Sequence, residues 1–282
     1  MKYLMSLALL VAVAVFSCKT CQAGRKIRGS GELATEERKI NGINGVDLAT
    51  IGTLYIEVGD EEKLSVEAED NLLPYIETEV RRGILTIHTE SGINLRPREP
   101  VSYYLTVKEL DEIEVSSCGD IEAPDLKADR FRVTINSSGD LKIGDLDVTS
   151  LDVRINSSGD VSSGRVTAKN AEVDISSSGD VYLQELNADL IVVDISSSGN
   201  LKIAGGKVDE QDISISSSGD YNAKRLQSNE AIVSISSCGD ATVRVDDYLE
   251  IDISSSGDVY YVGDPDVHRS ISSSGKIRRI RR

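Results

Sequence analysis

An all-β solenoid, a single-stranded right-handed parallel β-helix of about 20 residues per coil, is the fold this sequence predicts. Three observations predict it. The glycines Gly119, Gly139, Gly159, Gly179, Gly199, Gly219, Gly239, Gly257 and Gly275 recur at spacings of 20 residues, shortening to 18 in the last two steps. Around each of them apolar and polar residues alternate, the period of a strand and not of a helix. The apolar residues also keep their places: four before the glycine the column runs from Val115 through Ile135, Ile155, Ile175 and Ile195 to Ile271 without a polar member. A unit this short cannot bury its one apolar face alone, whereas identical units stacked in parallel merge their columns into a core. Right-handedness follows from the preference of parallel crossovers.

Residues 1–23 read as an export signal. Lys2 is followed by the apolar run Leu4 to Phe16, too short to span a membrane. The run ends in Val15-Phe16-Ser17-Cys18, which resembles a lipoprotein box with Cys18 as the lipid attachment site; cleavage after Ala23 is the alternative. Residues 24–110 alternate without the 20-residue period, as in Leu54, Ile56, Val58 and Leu64, Val66, Ala68. The turn residues at Gly59 to Lys63 and at Arg81-Arg82-Gly83 predict hairpins. A solenoid leaves bare strand edges that recruit other chains, so this segment is expected to cap the first coil.

Residues 111–275 are the repeats. Six before the glycine stand Ile113, Val133, Val153, Val173, Val193, Ile213, Val233 and Ile251; two after stand Ile121, Leu141, Val161, Val181, Leu201, Tyr221, Ala241, Val259 and Ile277. Alternation points the serine two before each glycine, Ser117 to Ser273, inward at the corner, where stacked hydroxyls can bond one another. The glycine is expected to supply the positive φ of a sharp corner and the following Asp to suit the same turn. Cys118 and Cys238 replace serine just before the glycine, six coils apart. That is roughly 29 Å, beyond disulfide reach, so both are expected to be reduced, small fillers.

Residues 276–282, Lys-Ile-Arg-Arg-Ile-Arg-Arg, form a basic C-terminal cap whose charge discourages further pairing. Net charge is −16 for the whole chain. The signal contributes +1 and this tail +5, so the body between them carries −22. Nucleic acid is therefore excluded as a partner, while basic partners or divalent cations suit such a surface.

Lys39-Ile40-Asn41-Gly42-Ile43-Asn44-Gly45-Val46, the stretch LYIEVGDEEKLSVEAEDNLLPYI, the recurrent SGD corners and the closing ISSSGDVYYVGDPDVHRSISSSGKIRRI together resemble the bacterial head GIN domain family of auto-transporter adhesins, over residues 39 to 282. The resemblance implies a right-handed β-helix in an exported protein, commonly a lipoprotein, of Bacteroidetes-type bacteria. It implies no catalytic residues and no cofactor.

Two columns carry candidate chemistry. The residue after each glycine is Asp120, Asp140, Asp160, Asp180, Asn200, Asp220, Asp240, Asp258 and finally Lys276. Carboxylates about 4.8 Å apart repel by roughly 1 kcal/mol even in water, so this turn column is expected to cap backbone amides, with calcium between coils as the alternative. Five before the glycine, Arg154, Asp174 and Asp194 lie on consecutive coils, a spacing that would suit a polysaccharide-processing lyase or hydrolase. Trp is absent, and Tyr182 and Tyr260 stand about 19 Å apart, too far to stack one sugar. His88 and His268 are isolated, which leaves the serines without a triad. The expectation is a non-catalytic envelope protein, an outer-membrane lipoprotein held to the membrane by its lipid anchor alone, that presents an acidic surface to a glycan or protein ligand.

Overall fold

The computed structural model describes residues 24–281, so the expected export signal, Cys18 and the alternative cleavage point lie outside the described residues. Within the repeats, successive copies lie on one another in parallel register. Val133 pairs with Val153, then Val173, Val193 and Ile213 follow, and the isoleucine column stacks Ile135, Ile155, Ile175, Ile195 and Ile215 in the same way. The column after the glycine stacks Ile121, Leu141, Val161, Val181, Leu201 and Tyr221. Further inward columns complete the coil, among them Phe131, Leu151, Ala171 and Ile191 eight before the glycine, Ile143, Ser163, Leu183 and Ile203 four after it, and Leu126, Leu146, Val166 and Leu186 seven after it. Each coil thus wraps three short strand segments around one interior. Ile155, Ile175 and Leu186 have no exposed surface there. Burying such a side chain contributes about 1.5–3 kcal/mol, and β-branched residues suit the pleated wall that holds it.

The eighth-before column is interrupted once, by Gln211. In the same coil Tyr221 replaces an aliphatic residue and Ser228 a small apolar one. The Tyr221 hydroxyl donates to Gln211 Oε1 at 2.7 Å, Gln211 Nε2 donates to Ser228 Oγ at 2.8 Å, and Ser228 Oγ donates to the Arg244 carbonyl at 3.0 Å. Three polar groups that would each be costly in the core satisfy one another.

The corners differ from expectation in two ways that share a cause. None of the nine motif glycines has a positive φ; the left-handed glycines are Gly31, Gly42, Gly52, Gly83, Gly92, Gly206 and Gly263. A Cβ on Gly179 would instead overlap the carbonyl oxygen of Gly159 one coil away, and Gly199, Gly219, Gly239 and Gly257 repeat that overlap. The corners stack so closely that backbone meets backbone. The Gly179 amide donates to the Ser157 carbonyl at 3.1 Å and the Gly199 amide to the Ser177 carbonyl at 3.0 Å. These serines are half-buried, and their hydroxyls form no ladder among the described residues; their main-chain carbonyls satisfy the corner instead.

The N-terminal segment joins the stack rather than sitting on it as a separate cap. Its strands are β1 (Arg25–Arg28), β2 (Leu33–Arg38), β3 (Gly45–Ala49), β4 (Thr53–Val58), β5 (Lys63–Glu69), β6 (Ile76–Arg81), β7 (Ile84–Thr89), β8 (Ile93–Arg96) and β9 (Ser102–Val107), followed by the first repeat strands β10 (Glu112–Val115) and β11 (Asp120–Ala123). On one side β3 and β4 pair in parallel with β10 and β11, through Val46↔Ile113 and Leu54↔Ile121. On the other they pair with β7 and β9, through Val46↔Leu85 and Leu54↔Tyr103. The coil made first in sequence therefore lies between two made later. Antiparallel β5 on β9, β2 on β5 and β6 on β7 finish the two sheets at this end. The turn at Gly59 to Lys63 closes no hairpin, because β9 lies between β4 and β5. The turn at Arg81-Arg82-Gly83 does, with Arg82 and Gly83 at φ 53° and 86°, as a tight two-residue connection demands.

At the far end, Ile277–Arg279 is itself a strand, paired in parallel with Val259–Tyr261, so part of the basic segment is the last rung of the sheet. Near β2, Glu69 is fully buried and accepts from the amides of Gly31 at 2.6 Å and Arg98 at 2.9 Å, tying β1 and β2 to the loop after β8. Burial opposes its charge, but the amides of Arg98, Gly31 and Glu99 and the Arg98 guanidinium outweigh it and hold the carboxyl below its ordinary value.

Two outcomes follow. Gly179→Ala is expected to lower stability by on the order of 3 kcal/mol in urea unfolding, because no flexible group can make room for the methyl, while Ser178→Ala at the exposed neighbouring position stays within about 0.5 kcal/mol. Glu69, with its folded pKa depressed, stabilises the fold above its unfolded value of 4.5, and that contribution is lost as pH falls through the lower folded value. Thermal midpoints measured from pH 7 downward should therefore fall in that window for the native chain and fall less for Glu69→Gln.

Candidate functional site

With its interior packed, the solenoid presents to other molecules the outward files on its walls. In the file after the glycines each aspartate reaches one coil onward. Asp120 Oδ1 accepts from the Asp140 amide at 2.9 Å, Asp140 from Asp160 at 2.9 Å, Asp160 from Asp180 at 2.8 Å and Asp180 from Asn200 at 2.8 Å. Asn200 Oδ1 continues the series to Asp220, which serves Asp240, then Asp258 and finally Lys276. The acceptors do not close their own turns; they bind coil to coil, which is why an amide oxygen at Asn200 substitutes for a carboxylate. Asp125 and Asp145 repeat the device at a second corner, accepting from the amides of Asp145 and Arg165 at 2.8 Å each. Among the described residues no group of three His, Cys, Asp or Glu side chains is placed to hold a metal ion.

Arg154, Asp174 and Asp194 occupy one file, each directly paired with the next. The Arg154 guanidinium turns away along its own strand and donates to Asp152 Oδ1 at 3.0 Å, while Arg132 holds the other oxygen of Asp152 at 3.1 Å. Partial burial and the adjoining Asp194 together raise the Asp174 carboxyl above its ordinary value, against the opposing pull of Arg154. The neighbouring depression, about 580 Å³, is lined by Asp111, Asp129, Arg132 and Asp152 and does not contain the trio.

A second carboxylate pairing was not legible in the sequence. Asp47 on β3 faces Glu114 on β10, and Asp47 Oδ1 is buried without a hydrogen-bond partner. Burial raises its pKa, Glu114 adds to the rise, and Ser116 and His88 oppose it. The pairing crosses from the irregular segment into the repeats, where no period announces it.

The same applies to the aromatic groups. Tyr104 and Tyr55, 49 positions apart in sequence, are cross-strand partners on β9 and β4. Their rings stack with centroids 5.5 Å apart and planes 17° apart, and they remain 45% and 37% exposed. Tyr182 lies further along the same file with Lys202 Nζ 5.6 Å from its ring centroid. Tyr260 is half-buried and donates to Asp258 Oδ2 at 3.2 Å. Cys118 and Cys238 are free, as expected, but exposed, so they fill no corner.

The aspartate file yields a direct test. Asp160→Ala removes the acceptor for the Asp180 amide and is expected to cost about 1 kcal/mol in urea unfolding, whereas Asp160→Asn, which keeps an acceptor there, stays within about 0.5 kcal/mol of the native chain.

Comparison with known proteins places this architecture. No curated protein matches the chain. Among solved structures, a "putative lipid binding protein" of Parabacteroides distasonis is 25% identical over 91% of this chain and all of its own, with a TM-score of 0.66. A "putative adhesin" of the same organism is 24% identical over 90% of this chain and all of its own, TM-score 0.70, and one from Parabacteroides merdae is 18% identical over 91% and all of its own, TM-score 0.63. Residues 43–166 and again 161–265 match the family described as "Putative auto-transporter adhesin, head GIN domain". The chain belongs to that head GIN domain family.

Proposed function

We propose that the protein is an exported, non-catalytic envelope protein, anchored through lipid on Cys18, that binds a surface glycan or protein ligand along the outer wall of its solenoid. The observation that carries this reading is the unbroken registration of the outward files: side chains from Tyr104 to Lys202 stand at one strand spacing from each other on backbone that is hydrogen-bonded on both sides. A rigid wall loses little entropy when it is bound, which favours recognition by surface complementarity. Membership of an adhesin family supports a binding role. Among the described residues no helix is long and apolar enough to cross a membrane. The Parabacteroides neighbour described as lipid binding adds lipid as a ligand class. Against it, depressions on the solenoid surface are lined by charged groups such as Asp111, Arg130 and Asp246.

A polysaccharide-processing enzyme built on Arg154, Asp174 and Asp194 is the second reading. It draws on the raised Asp174 carboxyl, the property a general acid needs. Arrays of glycans and matrix proteins, together with lipid vesicles, probed with residues 24–282 in the presence and absence of a calcium chelator, separate the readings. Binding to a glycan or protein that persists in chelator is the expected result. Binding to none of the arrayed ligands, or to vesicles alone, would overturn the proposal, and turnover of any glycan would replace it with the enzymatic one.

A further inference from the structure

Among the described residues, the pair at the N-terminal end of the wall is a stacked couple of tyrosine rings, which sets it apart from Tyr103, Tyr182, Tyr221 and Tyr260. Tyr103 and Tyr221 are buried, Tyr260 bonds a neighbouring carboxylate, and Tyr182 has a lysine of its own over the ring. Tyr55 and Tyr104 stack on each other and expose the rest of their surface. Beyond Tyr104 the next strand offers only Ser65, too short to cover a ring, and beyond Tyr55 stands Glu122, which separates the ring from Lys142 on the following strand. Glu57 follows Tyr55 on the same face of β4, and Glu67 flanks Ser65 on β5. The basic side chain at this edge, Lys63, is paired with Glu61 at 2.9 Å.

The file itself indicates what such a ring accepts. At Tyr182 the neighbouring strand supplies a cation over the aromatic face, the arrangement favoured by the ring quadrupole. At the Tyr55–Tyr104 block the equivalent neighbours are a carboxylate and a serine, so the site has the aromatic faces and the counter-charges of a cation site and lacks the cation. We propose that Tyr55 and Tyr104 form the docking site for an arginine or lysine side chain presented by a basic protein partner. This rests on the wall-binding reading above and specifies its patch and the chemistry of its ligand. Charge selects the occupant: an uncharged sugar would cover the rings but leave Glu57 and Glu67 unneutralised, whereas a guanidinium stacks on the ring and donates to carboxylates at its edges. The acidic body would steer such a partner toward the wall from a distance.

The test uses residues 24–282 and a fluorescein-labelled peptide of alternating Gly and Arg, with a peptide carrying neutral citrulline in place of Arg as its isosteric control, titrated by fluorescence anisotropy at about 0.15 M salt. Expected results are binding of the Arg peptide, loss of binding with citrulline, and weakening by about fivefold in Tyr104→Leu and in Tyr55→Leu, which keep apolar area and lose the quadrupole. Tyr248→Leu, on a different file and with its hydroxyl bonded to Glu250, should leave affinity unchanged, and thermal unfolding confirms that each variant is folded. Equal binding by the native chain and both leucine variants would overturn the proposal, since attraction to the acidic body alone would then explain the affinity. Equal binding of the citrulline peptide would overturn it as well, as would failure of the Arg peptide to bind the native chain at all. Each of these results is separable from failure of the broader binding role, which the arrays report independently.

Discussion

The stacking of one glycine corner directly on the next is the constraint to which the rest of this protein conforms. At Gly159, Gly179 and Gly199 the main chain of one coil occupies the space where a side chain of the next would begin. No larger residue fits, and the amide of each glycine is bonded to the coil before it. With the corner fixed, the rise per coil is that of paired strands, and every inward column must meet its own copy. The Ile135 to Ile215 stack and the coil-to-coil aspartate bonds are both results of that single spacing.

The repeat section was readable because its information is periodic. A column such as Ile155, Ile175, Ile195 tells which residues touch without any knowledge of turns. What the columns left ambiguous was why a glycine stands at each corner. A left-handed backbone and a backbone too near to admit a Cβ both demand glycine, and a sequence cannot separate them; here the second is true. The inward serines were misread for a related reason, since the corner that requires a small residue is satisfied by its carbonyl. In the N-terminal segment the alternation located strands but not partners. Nothing in the residues from Gly59 to Lys63 indicates that β9 will come between β4 and β5. The adjacency of Tyr55 and Tyr104, and of Asp47 and Glu114, depended on that pairing and stayed hidden with it.

Two kinds of acidic file coexist on the walls. In the corner file each carboxylate has a backbone amide to accept from, so its charge is used in joining coils. Asp174 and Asp47 face other carboxylates, Asp194 and Glu114, and both titrate above their ordinary range, with burial the first cause. Density of acid alone therefore says little about strain; the geometry of the nearest donor decides it. The same distinction explains why the aspartate file is regular over many coils, whereas the Arg154 file changes residue type from strand to strand.

The coil formed by β3 and β4 lies between one built from β7 and β9 and one built from β10 and β11. A chain delivered from its N-terminus thus emits the filling before either slice of bread. Until the stretch ending near Ala123 has emerged, β3 and β4 have at most one covered face, and the closure they need spans many residues, a long-range step that costs loop entropy before contacts repay it. The repeats beyond them can zip up by neighbour-to-neighbour growth alone. The N-terminal coil therefore cannot be completed until the strands on both sides of it exist, whereas a coil of the repeats needs only its sequence neighbours.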